Sequence, residues 1–573
     1  MEAADAQHGR EGVAPRRSAL DVIMSQIRGK RTAPDRKPLG RFLSRSTERT
    51  GIAEDLGTET RENVSGFTKA AEDEANGGGW GRVCVFLQKL GKKADTRSLS
   101  VAHCDLTATD LMELATLLQF LPNLEEMDVS WNELIGGSLG ALSSHLSHVG
   151  GIRVLRLCHC RLNNDDVTEL GDALSAIPLL EILDLSWNGG IGGKGLQSLL
   201  GKLPATLREI HLVACQLTAA DAAALGGALC AQPRLCVLDI SSNPQLTQEV
   251  EGGCFRDMAA ALSNATSLTT LRLHDCGLST DHLNDLGSAC VSLTSLRELD
   301  VSCNRGLSGG LDQLTSDLAH LTHLESLDLH MSCLTCADLE ALIQVLPFLT
   351  ALTALDVSSN KEAGGVAKDL VSALPLVQMK RLPLNSCSLS QESFTALVLV
   401  APYLRSIDVS WCKVVGGRTS LLLDALQPSV LLELRLSSCG LSTEDLCHLA
   451  SACRHGRLSS LRLCDVSYNA SVGDDGWCAL FEAGGLGSLE ELDLSLRPSS
   501  SASCSSWLPA LLRALPGLTA LSRLSAQRWR ISSQERQKLK QCLKKRKVLL
   551  EFDTEVKDGV SSHQTTNPEK TEE

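Results

Sequence analysis

An α/β solenoid, one short parallel strand and one helix repeated about sixteen times, is the fold that this 573-residue chain predicts. Three observations predict it. Leucine supplies roughly 18% of the residues while all aromatics together supply 3%, so the core rests on one aliphatic side chain instead of the aromatic bulk that unrelated domains draw on. Near-copies recur along the chain: LEEMDVSWN (124–132), LEILDLSWN (180–188), LCVLDISSN (235–243), LRELDVSCN (296–304), LTALDVSSN (352–360) and LRLCDVSYN (461–469). Between them stands a second form that ends in Cys: IRVLRLCHCRL (152–162), LREIHLVACQL (207–217), LTTLRLHDCGL (268–278), MKRLPLNSCSL (379–389) and LLELRLSSCGL (431–441). With the Asn or Cys as register mark, most steps are 27 or 28 residues; the step is 33 from Asn243 to Cys276 and 25 from Cys387 to Cys412.

Each part of the repeat follows from a physical need. In L-x-L the two leucines point inward and the central residue outward, which is strand alternation. The register Asn can satisfy backbone groups at the turn leaving the strand, and a Cys there is a small buried side chain with a weak donor. On this reading Cys104, Cys160, Cys215, Cys276, Cys387 and Cys439 are structural. After the Cys comes L-T/S-x-x-D, which places Thr107, Thr218, Thr335 and Ser442 at helix N-caps and Asp110, Asp221, Asp338 and Asp445 at N3. The Asn form is expected to use a glycine turn before its helix, at Gly136-Gly137, Gly192-Gly193, Gly309-Gly310, Gly364-Gly365 and Gly416-Gly417. Those glycines lack the spacing of a phosphate loop and a following Lys-Ser/Thr.

The pattern L-x-x-L-x-L-x-x-N/C-x-L resembles the leucine-rich repeat family, and the alternation of Asn and Cys forms near 28 residues resembles its ribonuclease-inhibitor-like class. The resemblance covers roughly residues 80–530. It implies a horseshoe with the parallel sheet on the concave face and helices on the convex face. Departures fall at Ser332, where the Cys has slipped to Cys333, at Cys412 in an Asn slot, and at the last marks, Arg497 and Trp529.

The domain reading is a charge-segregated, disordered tail over 1–79, the repeat domain with its entry cap over 80–531, a capping helix and edge segment over 532–552, and a polar tail over 553–573. A net charge of −14 and a pI near 5.5 argue against a nucleic-acid binder. No apolar signal segment opens the chain and no run reaches membrane-span length, so a cytoplasmic protein with reduced thiols and no membrane partner is expected. The basic run Lys544, Lys545, Arg546, Lys547 has the form of a nuclear-import signal, and it also suits a helix C-terminus.

The residue between the two inward leucines should lie on the open sheet face. Every Asn-type repeat places an Asp there. Arg156, Arg272 and Arg435 stand between such Asp residues and suggest lateral ion-pair ladders. Asp300, Asp328 and Asp356 occupy three successive strands with no base at that position, an anionic strip suited to a basic partner. Immediately before the register mark lie Trp131, Trp187, Trp411 and Tyr468, amphipathic rings on a rim, which are frequent binding anchors. Serines recur two residues before the mark, joined by His274 and His330, and the repeat accounts for them without catalysis. Cys333-x-x-Cys336 lacks a second pair, and Cys158, His159 and Cys160 diverge along one strand, so no metal and no cofactor is expected. The sequence thus predicts a non-enzymatic, monomeric protein-interaction platform. Its rivals are an inhibitor that occludes a partner's active site and a nuclear or scaffold subunit recruited through its tails.

Overall fold

The computed structural model describes residues 96–248, 253–543 and 546–552. The expected tails (1–79 and 553–573), the entry cap (80–95) and Lys544 and Lys545 lie outside them. Two compact units are present. The first runs to Leu278 and takes in Ser288–Leu296; the second comprises Ser279–Gly287 and the chain from Arg297 onward.

In the first unit, seven three-residue strands lie parallel in chain order: β1 (Ser98–Ser100), β2 (Glu126–Asp128), β3 (Val154–Arg156), β4 (Ile182–Asp184), β5 (Glu209–His211), β6 (Val237–Asp239) and β7 (Thr270–Arg272). Equivalent residues pair one repeat apart, as Ser100 with Asp128 and Arg156 with Asp184. The middle residue of each strand (Leu99, Met127, Leu155) is buried together with the helix leucines Leu111 and Leu114, whereas the flanking strand residues face the open side. Alternation along the strand therefore leaves one sheet face without helices.

The second unit holds β8 (Glu298–Asp300), β9 (Ser326–Asp328) and β10 (Ala354–Asp356), then β11 (Ser406–Asp408), β12 (Glu433–Arg435), β13 (Leu463–Asp465), β14 (Glu491–Asp493), β15 (Ala502–Ser503), β16 (Arg523–Ser525), β17 (Trp529–Arg530) and β18 (Leu549–Glu551). Strands β11, β12, β13, β14, β16 and β18 form one parallel run, and β15 pairs with β17 apart from it. Between β10 and β11 the repeat at 379–389 is reduced to single bridges made by Arg381 to Ala354 and Ser406. Its Pro383 has no N–H to give to a ladder.

The two repeat forms solve one problem by different means. Cys-type loops leave N–H groups that the next repeat's Asn accepts: Asn188 Oδ1 takes Cys160 N (3.0 Å) and Leu162 N (3.0 Å), and its Nδ2 donates to Leu157 O and Leu185 O. Asn132, Asn243 and Asn360 repeat the arrangement. Asn-type loops are satisfied by the following repeat's capping acid: Asp338 accepts from Gly309 N (2.8 Å) and Leu311 N (3.0 Å) while it closes a capping box with Thr335. Asp166, Asp221 and Asp445 make the same reach. The glycine turns are thus backbone nests already filled by carboxylate.

Three departures from the regular repeat have local causes. Gly364 and Gly365 lie inside the helix Ala363–Ala373, not in a turn before it; a Cβ on Gly364 would stand 2.2 Å from the Ser388 carbonyl carbon, so a close backbone approach demands the glycine. Cys412 can donate like an Asn, to Leu384 O and Cys387 O at 3.2 Å, but its sulfur is only a weak acceptor. The short 25-residue step also closes its own loop through Cys387 N to Leu384 O and Leu389 N to Cys387 O, so a strong acceptor such as the Asn amide is not required. Trp529 replaces the register residue outright, its indole Nε1 donating to Leu494 O at 2.8 Å. Its ring meets Trp507 edge-on at 4.9 Å, and both pack with Trp477 in a buried aromatic cluster.

Candidate functional site

On the open sheet face of each unit the Asp row has a local duty. Nine of these residues (Asp128, Asp184, Asp239, Asp300, Asp328, Asp356, Asp408, Asp465, Asp493) accept, at Oδ1, the backbone N–H two residues on, at 2.8–3.2 Å. The recurrent D-x-S of the sequence carries this signal, which the charge reading passed over: Asp turns the chain out of the strand. Several of the serines continue the stitching, Ser130, Ser186 and Ser410 accepting N–H groups from the next repeat.

The expected ladders form only in part. Arg272 pairs with Asp239 at 3.5 Å. Arg435 turns to Glu433 of its own strand at 2.7 Å, and Arg156 makes no ion pair with Asp128 or Asp184. The lateral pairs stand instead one residue before the strands, as Arg97–Glu125 (2.8 Å), Arg153–Glu181, Arg297–Glu325 and Arg462–Glu490. There the side chains are exposed and long enough to span one repeat, so each pair contributes little.

In the second unit Asp300 pairs in register with Asp328, and Asp328 with Asp356. Bases reach two of them from other positions: Arg381 reaches Asp356 Oδ2 at 3.0 Å from the first strand position of its repeat, and His330 Nδ1 lies 2.7 Å from Asp328 Oδ1. Burial first, and Asp328 second, push the Asp356 carboxyl up. The His330 imidazole is raised, chiefly by its hydrogen bond to Asp328, and by Asp328, Asp356 and Asp300 as charges, against the opposing effect of burial.

The rim residues share one backbone state. Trp131, Trp187, Trp411 and Tyr468 have φ of 63°, 62°, 65° and 60°, as do the residues at the same position of other repeats, among them Ser242, Ser359 and Ser438. A left-handed φ disfavours a bulky side chain, and the same position holds His103, His159 and Met331 as well as the small residues of other repeats. Trp131, Trp187 and Trp411 are 43%, 53% and 55% exposed, in contrast to the buried Trp477 and Trp507. In the first unit Trp131 lies between His103 (5.2 Å, stacked) and His159 (4.6 Å). In the second, Trp411 meets Tyr468 edge-on at 6.3 Å, and the Arg497 guanidinium stands 5.8 Å from the Trp411 ring.

The register cysteines are chemically quiet. Cys160 Sγ donates to Val129 O (3.3 Å), Cys215 to Leu185 O (3.4 Å) and Cys439 to Val409 O (3.1 Å). Burial pushes each of these thiols up to about 12. No disulfide joins the described cysteines. No described helix is long and apolar enough to cross a membrane. Of the basic run, Arg546 is committed to the fold, donating to Leu515 O and Leu518 O at 2.9 Å.

A parallel strand-and-helix repeat, register Asn and Cys stitching and an uncovered sheet face together define a leucine-rich-repeat protein. The family model described as "Leucine Rich repeat" matches residues 177–200. The ribonuclease inhibitor of Sus scrofa is 30% identical over 403 residues, 68% of this chain and 85% of that protein. The ribonuclease inhibitor of Mus musculus is 29% identical over 39% of this chain and 49% of its own length. A solved leucine-rich repeat-containing protein from Legionella pneumophila aligns at 18% identity with a TM-score of 0.34, over 53% of this chain and 96% of that one. The chain belongs to the ribonuclease-inhibitor-like leucine-rich-repeat family.

Proposed function

We propose that this protein binds protein through the uncovered sheet face of each unit, with Trp131 and Trp187 as anchors on the first, Trp411 and Tyr468 as anchors on the second, and Asp300, Asp328 and Asp356 of the second receiving a basic segment of a partner. The observation that carries the reading is the exposed tryptophan set. Trp131, Trp187 and Trp411 are exposed at a left-handed position that Ser242, Ser359, Ser386 and Ser438 fill in four other repeats, and exposed aromatic rings are the side chains that most often carry binding energy. The Asp strip supports the basic character of the partner, since three carboxyls stand on successive strands and the bases that reach them, Arg381 and His330, show that cations settle there. The protein has no catalytic role in this reading, and it acts as a monomer.

The test is partner capture by proximity labelling in cells, comparing the native chain with Trp131→Ser/Trp187→Ser, Trp411→Ser/Tyr468→Ser and Asp300→Asn/Asp328→Asn/Asp356→Asn. Asn keeps the Oδ1 acceptor of the turn and removes the charge. Loss of the same proteins in the Trp and Asp variants is expected; an unchanged set sinks the proposal. A second reading, that the chain inhibits its partner by occlusion, draws on the inhibitors among its relatives. Titration of a ribonuclease with the protein examines it directly, and full activity at molar excess excludes that target.

A further inference from the structure

Cys303 and His330 lie 27 residues apart in sequence, one repeat, and meet in the second unit. Cys303 Sγ stands 3.3 Å from His330 Nε2 and 4.0 Å from Met331 Sδ. On the far side of the same ring, Nδ1 lies 2.7 Å from Asp328 Oδ1. A carboxylate at Nδ1 holds the proton there and turns the Nε2 lone pair toward the sulfurs, the second-shell arrangement that orients histidine ligands of metals. The backbone holds these groups in place: Cys303 N donates to His330 O (2.8 Å) and Met331 N to Ser358 O (3.0 Å), and Cys303 and Met331 both sit at left-handed rim positions.

We propose that Cys303, His330 and Met331 form a copper(I) site. Sulfur and nitrogen ligands bind a d¹⁰ first-row ion at about 2.3 and about 2.0 Å, which sets two ligands of one ion about 3.5–4.0 Å apart. The two separations from Cys303 Sγ, 3.3 and 4.0 Å, bracket that range. Thiolate with thioether selects a soft ion, and thioether discriminates copper(I) from zinc, which accepts thiolate, imidazole and carboxylate instead. A harder set on the opposite side of the ring, Asp328 and Asp356 with His330, is already occupied: Asp356 Oδ2 is paired with Arg381 and Asp328 with the ring itself. Met331 is 41% exposed, which gives an incoming ion access. Spacing rules could not reveal this set, because its ligands come from neighbouring repeats and one of them is a methionine.

The experiment titrates the full reduced chain with copper(I) under anaerobic conditions against a chromophoric copper(I) chelator. Native protein is compared with Cys303→Ser, Met331→Leu and the Cys333→Ser/Cys336→Ser control. The native chain and the control should each hold one more tightly bound copper than Cys303→Ser, and Met331→Leu should weaken that site by at least about tenfold. Thermal melts of the metal-free variants confirm that each is folded. Equal copper stoichiometry and affinity in native and Cys303→Ser protein overturns the site. An unchanged affinity in Met331→Leu, or Cys303-dependent uptake of zinc(II) in place of copper, overturns the assignment of a soft ion.

Discussion

Asp445 shows how much one side chain does here. Its carboxylate caps its own helix through Ser442 and accepts Gly417 N and the Thr419 hydroxyl from the preceding Asn-type repeat. Burial pushes this carboxyl up, but the N–H groups of Ser442 and Gly417 and the hydroxyls of Thr419 and Ser442 outweigh it and hold it below the usual range. Asp445→Asn sets an amide NH₂ against buried donors and should destabilise by roughly 2–4 kcal/mol at pH 7. The depressed carboxyl contributes stability above its unfolded value that is lost as pH falls through the folded one. Urea midpoints between pH 7 and pH 3 should therefore fall more steeply for the native chain than for Asp445→Asn; parallel curves would show that this carboxylate is not a source of the acid sensitivity. Trp187 stands at the other extreme. Trp187→Ser relieves a bulky residue at φ 62° and should change stability by no more than about 0.5 kcal/mol, so a drop in partner capture by that variant reports recognition. A large loss of thermal stability would make the ring a structural one. Both residues could be singled out from the repeat, but only Asp445 had its local role legible there: the capping box is written within four residues, whereas its second set of donors arrives from 28 residues away.

Elements in this protein are short, and their ends decide their length. Cys-type helices begin at once behind a Thr, Ser or Asn cap, as Ala108–Leu117 and Asn164–Ala173 do, and the glycine turn of Asn-type repeats delays helices such as Lys194–Leu200. Two glycines separate the physical causes. Gly309 has φ of +80° with nothing within 4 Å of an added Cβ, while a Cβ on Gly136 would fall 2.0 Å from Arg161 O. Gly309→Ala should cost about 1–2 kcal/mol, the conformational term alone. Gly136→Ala should cost more, because the neighbouring backbone must move. Denaturant midpoints order the two; the reverse order would mean that the repeats slide apart easily. The glycine pairs were visible as a pattern, yet Gly364-Gly365 falls inside a helix, since a GG pair signals both turns and close backbone contacts and only the neighbouring repeat distinguishes them.

Across the molecule, charge and packing serve different ends. The lateral pairs beside the strands are exposed, and the buried material is leucine with three tryptophans near the last repeats. Raising salt from about 0.15 to about 0.5 M shortens the screening length. It should therefore weaken capture of a basic partner severalfold while leaving the unfolding midpoint nearly unchanged. A midpoint that falls together with binding would place the ion pairs in the stability of the fold. Family membership, the repeat count and the structural role of the register cysteines were determined by the sequence itself, because each depends on contacts that recur at one fixed spacing and are therefore printed in the chain many times. Tertiary structure alone decided where side chains from adjacent repeats meet: Arg381 on Asp356, the capping Asp in the preceding glycine turn, the Trp529 indole on Leu494 O, and Cys303 beside His330 and Met331. Those contacts join residues about one repeat apart and occur once or a few times each. Their geometry depends on the rotamer each side chain adopts against its neighbour, which a repeat pattern does not encode.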